Sequence, residues 1–231
     1  YAFFMSKIKR ERKVGWMTQK AVRELPEDYG LRHTLDLNKN IKLAIGLNLA
    51  SLALFVVFGF LFYWLLIQVR PGLVNESGLL GTGLFTSDSV FIQFLVIALV
   101  YLGMIVLHEA IHGLFFWIFT RERPKFGFRG LYAYAGAPAW YLNKWPYLLV
   151  GLAPLVLISL VGFITMLFVS IGWIFPIFLL ITLNASGAVG DIYAFFWIFP
   201  KSKGILVRDF GDRMEIYGPG GMQETAEPVR D

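Results

Sequence analysis

Residues 90–119 read VFIQFLVIALVYLGMIVLHEAIHGLFFWIF. A helix needs about 20 apolar residues to cross a bilayer core, so this run predicts a transmembrane helix with His108, Glu109 and His112 buried inside it. Three further stretches have the same character: about 41–69, charged only at Lys42, about 147–170, and about 173–199. Only Ile171-Gly172 and Pro176 interrupt the apolar run between the last two. Three or five spans would also fit, but four fits the lengths best. The whole chain agrees: its 231 residues are 57% apolar, 17% aromatic and only 16% charged, with a mean hydropathy of +0.61. Soluble domains have about 45–50% apolar and about 25% charged residues. The composition therefore excludes a disordered chain and an ordinary soluble enzyme. With no cysteine, disulfides, thiol catalysis and cysteine-zinc sites are excluded too.

The basic residues orient the spans. Lys and Arg number 9 before Ile41, one (Arg70) between the first two spans, five in the loop 120–146, none between the third and fourth spans, and five after Phe199. Basic loops stay cytoplasmic, which places both termini and the loop 120–146 on the cytoplasmic side. The net charge of +5 and pI near 9.4 are then a membrane-topology signature. No nucleic-acid partner is expected, because a nucleic-acid patch needs no such alternation. No cleavable signal peptide is visible, and the opening Tyr1-Ala-Phe-Phe-Met5 reads as extra residues ahead of a natural Met5. The expected organisation is a basic cytoplasmic N-segment 1–40, a transmembrane core 41–199 and a cytoplasmic tail 200–231. In the N-segment, Trp16, Leu25, Tyr29 and Leu35 among charges fit a short amphipathic element against the membrane. The tail reads as a hairpin, from Ile205 to Arg208 and Met214 to Tyr217 around a turn at 209–212, with disorder after Gly218. The fold class is an all-α integral membrane protein of about four transmembrane helices with small cytoplasmic β-hairpins.

Apart from Lys42, the spans contain four ionisable groups of the His, Asp, Glu, Lys and Arg kinds: His108, Glu109, His112 and Asp191. Each costs roughly 2.5–3.5 kcal/mol near a bilayer centre. Together they cost on the order of 10 kcal/mol, comparable to a protein's whole stability. They must satisfy one another or hold something. His108-Glu109-Ala110-Ile111-His112 puts two imidazoles one turn apart on a helix face with a carboxylate beside them. Catalytic zinc takes three protein ligands and keeps a fourth position open, and Asp191 is the one candidate for the third. Depth agrees. Ala110 lies 9 residues before Phe119 and Asp191 lies 8 before Phe199, about 13 and 12 Å from the cytoplasmic ends. The rival account is a buried polar network that fixes helix packing, with Asp191 paired to a histidine. Haem is excluded, because both histidines lie on one face of one helix. His33 reads as an interfacial residue.

At these residues the sequence resembles the site-2 protease class of intramembrane metalloproteases, which carries the His-Glu-x-x-His motif on one span and an aspartate ligand on a later one. More closely, His108–Gly113 together with Asn184-Ala-Ser-Gly-Ala-Val-Gly-Asp191 is similar to a small bacterial family labelled putative zincin peptidases. The resemblance implies a zinc peptidase of the bacterial cytoplasmic membrane. Two departures stand out: the site-2 class has Asn-Pro and Asp-Gly near its third ligand, where this chain has Asn184-Ala185 and Asp191-Ile192.

The chemistry then assigns roles. His108, His112 and Asp191 hold one Zn2+ per chain, although the same donor set also binds iron or manganese. Glu109 is the general base for the attacking water. Asn184, two turns before Asp191, either contacts substrate or the oxyanion or makes an interhelical hydrogen bond. Ser186, Gly187 and Gly190 allow close helix packing, and Pro154 bends the third helix. In the loop, Phe126-Gly-Phe128 and Tyr132-Ala-Tyr134 alternate like strands, so Phe128 and Tyr132 either sit at a hairpin edge that accepts an unwound substrate or form an aromatic belt. The expected function is zinc-dependent hydrolysis of membrane-embedded or membrane-associated proteins near the cytoplasmic side. The alternative is a non-catalytic zinc-binding membrane protein: a transporter, sensor or scaffold.

Overall fold

The computed structural model describes residues 20–36, 39–72, 89–129, 132–211 and 213–220. The expectations placed on Tyr1–Met5, Trp16, the turn residue Asp212 and the tail beyond Gly220 lie outside the described residues. Contacts divide the chain into two units, one of 1–41, 112–151 and 195–231, the other of 42–111 and 152–194.

The first unit is built on strands. Among the described residues, β1 (Ala21–Val22), β2 (Tyr29–Asp36), β5 (Tyr141–Asn143), β6 (Leu206–Asp209) and β7 (Arg213–Pro219) form one antiparallel sheet in the order β1-β5-β6-β7-β2. The tail hairpin is as expected, with Leu206 opposite Tyr217 and Asp209 opposite Met214. Its turn needs Gly211, whose φ of 92° is left-handed and whose N–H is accepted by the Asp209 carboxylate at 2.7 Å. A side chain there would also run into the Tyr134 ring. The N-segment supplies two strands, 21–22 and 29–36. Of these, β2 pairs with β7 from Tyr29 opposite Pro219 to Asp36 opposite Arg213, with a bulge between Leu31 and His33. Backbone groups of this marginally apolar segment are satisfied by the pairing. The loop hairpin β3 (Lys125–Arg129) and β4 (Tyr132–Gly136) forms a separate two-stranded sheet.

This unit buries Leu142, Val207, Ile216 and Ile198 in one apolar core. Lys144 is buried too, and its Nζ donates to the carbonyls of Phe199 at 2.6 Å and Lys201 at 2.5 Å. These are orphan acceptors just past a helix C-terminus, where a cation is favoured.

The second unit is helical. It holds α1 (Ile41–Val69), most of α2 (Val90–Thr120), most of α3 (Lys144–Phe168), α4 (Ile174–Gly187) and the start of α5 (Val189–Ile198). Among the described residues, four helical stretches are long and apolar enough to cross a membrane: Ile41–Val69, Val90–Thr120, Lys144–Phe168 and Ile171–Ile198. The last differs from the expected continuous span. It is a 3-10 turn followed by α4 and α5, interrupted at Ala188 (φ −71°, ψ 12°). Ser186, whose hydroxyl donates back to the Leu183 carbonyl at 3.1 Å, and the flanking Gly187 and Gly190 weaken the helix there. Leu66, Met166, Ile174, Ile181 and Ala185 form the core. Gly162 leaves the space that the Ile181 side chain occupies. Arg70 closes the end of α3 by donating to Met166 and Val169 carbonyls at 2.9 and 3.0 Å.

Candidate metal centre

His108 and His112 occupy successive turns of α2, so the helix itself sets their common face. Asp191 stands in the first turn of α5. The interruption at Ala188 gives the carboxylate a helix N-terminus of its own, where peptide dipoles favour negative charge. One ligand atom from each of His108, His112 and Asp191 lies within 4.8 Å of the others. His108 Nε2 is 3.2 Å from Asp191 Oδ2, with their side chains 12% and 24% exposed. Two imidazoles and a carboxylate fit catalytic zinc, which takes three such ligands and leaves a position open.

The second ring nitrogen of each histidine is held. Asn184 is fully buried, and its amide Nδ2 donates to the Pro154 carbonyl at 3.2 Å. A carbonyl can only accept, so the Asn184 Oδ1 is the atom facing His108 Nδ1, at 2.9 Å. That oxygen can also only accept, which puts the His108 proton on Nδ1 and turns Nε2 toward Asp191. His112 Nδ1 lies 2.9 Å from the Val150 carbonyl, and the same argument makes Nδ1 its donor. Both rings therefore leave Nε2 as the nitrogen available to a metal ion, oriented by neighbours as metal-site histidines are.

The sequence-predicted residues fall as follows. Glu109 is half-buried on α2 beside His108. Asn184 is hydrogen-bonded at both ends of its amide. Phe128 lies in β3 opposite Ala133, with its ring exposed, and Tyr132 lies in β4 opposite Arg129, its side chain outside the described residues. Neither is among the three gathered ligands. Sequence reasoning missed the carbonyls of Val150 and Pro154, because a backbone acceptor has no letter of its own. The available signal was Pro154, inside an otherwise helical run.

Beyond α2, Thr120 and Arg121 end the helix: the Thr120 hydroxyl donates to the Phe116 carbonyl at 2.8 Å, and Arg121 takes a left-handed φ of 57°. Glu122 follows and accepts from Trp140 Nε1 and Arg23, each at 2.6 Å. Those hydrogen bonds, Trp140 first, hold its carboxyl below the usual range. The Phe126 ring of β3 occupies the space over Gly113, next in sequence to His112.

The described residues thus combine helices of membrane-crossing length with a two-histidine, one-carboxylate cluster that could hold a metal ion. Residues 101–206 match the model of a family described as a putative zincin peptidase, as the resemblance implied, and this stretch holds all three clustered residues and Glu109. No curated protein and no solved structure matches the chain.

Proposed function

We propose that the protein is a zinc metallopeptidase of the His-Glu-x-x-His type that cleaves membrane-embedded or membrane-associated proteins near the cytoplasmic side of a bacterial cytoplasmic membrane. The observation that carries the reading is the gathering of His108, His112 and Asp191 within ligand distance, with both histidines turned to offer Nε2. The membrane setting is supported by the outward-facing apolar side chains of the long helices: only 6% of the most apolar part of Val90–Thr120 is buried. An apolar surface of that extent suits lipid and not water. The distribution of basic residues favours both termini and the loop 120–146 on the cytoplasmic side.

When bound, Zn2+ supplies a Lewis acid that brings the pKa of water to about 7. His108, His112 and Asp191 fix its place. Glu109 takes the proton of the attacking water and delivers it to the leaving amine. We assign Asn184 to orienting His108 rather than to a substrate contact, since both ends of its amide are engaged. The peptide must be extended to be cut, and transmembrane helices hide their amides. The β3–β4 hairpin, with Phe128 and Tyr132, has strand edges that could receive such a segment.

The test uses detergent-purified protein reconstituted with a single-span reporter substrate. Glu109→Gln should keep about one zinc per chain yet lose about 10²–10⁴-fold in cleavage rate, whereas His112→Ala and Asp191→Ala should lose the metal as well. Unchanged turnover in zinc-loaded Glu109→Gln would remove Glu109 as the general base, and a zinc-loaded wild type that cleaves no reporter would leave a zinc-binding membrane protein, such as a transporter or sensor, in place of this chemistry.

A further inference from the structure

Proline within a helix is usually read as a bend. In α3 it also acts on one particular atom. Pro154 lies inside the helix and has no N–H, so the carbonyl of Val150, four residues earlier, lacks its regular helical donor, and the ring crowds that carbonyl away from the helix axis. The Val150 carbonyl is the group that accepts from His112 Nδ1 at 2.9 Å. The carbonyl of Pro154 itself accepts from Asn184 Nδ2, and Asn184 Oδ1 accepts from His108 Nδ1. Two separate hydrogen-bond paths thus lead from one residue to both histidines. Val150 and Asn184 are buried, so water offers no easy substitute for either acceptor.

We propose that Pro154 is a positioning residue for the metal ligands: by withholding a backbone donor it reserves the Val150 carbonyl for His112 and so presents that ring's Nε2 to the metal. The Pro154 carbonyl does the same for His108 through Asn184. This rests on the zinc reading above and adds a cause for the orientation of its ligands. It also changes the expected sign of a substitution. Alanine at 154 improves the helix, because the missing hydrogen bond can form. The new N–H then competes for the Val150 carbonyl and draws it back along the helix, away from His112.

The experiment measures Zn2+ affinity by competition with a chromophoric chelator, on the full chain in detergent, together with thermal unfolding of the metal-free protein. Pro154→Ala should bind Zn2+ about 10–100-fold more weakly, the usual loss when a ligand's orienting partner is disturbed, while its metal-free form unfolds at the same or a higher temperature. A second variant separates the missing donor from the shape of the ring: the α-hydroxy analogue of alanine at 154 makes an ester link, which also lacks an N–H. It should restore binding to near the wild-type value. Wild-type affinity in Pro154→Ala would overturn the proposal while leaving the metal site standing. Binding by the ester variant as weak as that of Pro154→Ala would overturn it as well, since the ring and not the absent donor would then matter. A wild type that binds no Zn2+ would remove the metal reading itself.

Discussion

Ile216 in β7 and Leu102 in α2 carry aliphatic side chains of the same size into opposite surroundings. Ile216 is 0% exposed and Leu102 58%. The difference runs through both units. In the strand-built unit, apolar residues converge on one core around Leu142, Val207 and Ile216, as expected of a chain that buries apolar surface from water. In the helical unit, α1 and α2 point Leu49, Phe60, Phe91, Phe94 and Val106 outward, and the buried places include polar residues such as Thr182, Asn184 and Ser186. Hydrophobicity alone therefore says little about where a residue sits. What decides it is the solvent that the segment is built to meet.

Truncation should separate the two regions first and most widely. Ile216→Ala should cost about 2–5 kcal/mol in chemical unfolding in detergent, for lost burial and a residual cavity, against less than about 0.5 kcal/mol for Leu102→Ala. Similar losses at both positions would end the contrast. A charge sharpens it from the other side. Leu102→Arg should disfavour insertion of α2 by about 2.5–3.5 kcal/mol in a glycosylation-mapping assay, and insertion equal to wild type would mean that this face meets water. The smallest effect belongs to the sheet. Burial, aided by the hydrogen bond to Glu215, pushes the Tyr217 hydroxyl up from 10.0 to about 12. A raised folded-state value means that its contribution is full below about pH 10 and is lost as pH rises toward about 12. The stability difference between wild type and Tyr217→Phe should shift against wild type over that window, and a flat difference would remove the assigned burial effect.

Much of this could be read from the residues. The long apolar helices were legible because an apolar run of that length suits a bilayer core; α1 runs from Ile41 to Val69 as expected. The clustering of His108, His112 and Asp191 was legible because ionisable groups are so costly among apolar neighbours that four of them stand out, and helix spacing and depth group them. The tail and loop hairpins followed from alternation around glycine. The pairing of β2 with β7 was not legible, since an eight-residue polar strand carries no mark of a partner at the other end of the chain. Nor was the interruption at Ala188, because Ser186 and the adjacent glycines serve close packing equally well in an unbroken helix. The orientation of the histidines was hidden for a different reason. It depends on carbonyl groups that every residue has, and only the missing N–H of Pro154 distinguishes one of them.

The contact between the Phe126 ring and Gly113 has a further consequence. It has no directional bond: a flat hydrocarbon rests on a position that has no side chain. Its strength follows contact area, so salt and moderate changes of acidity leave it unchanged. Any side chain at 113 would have to push that ring aside, one residue away from His112.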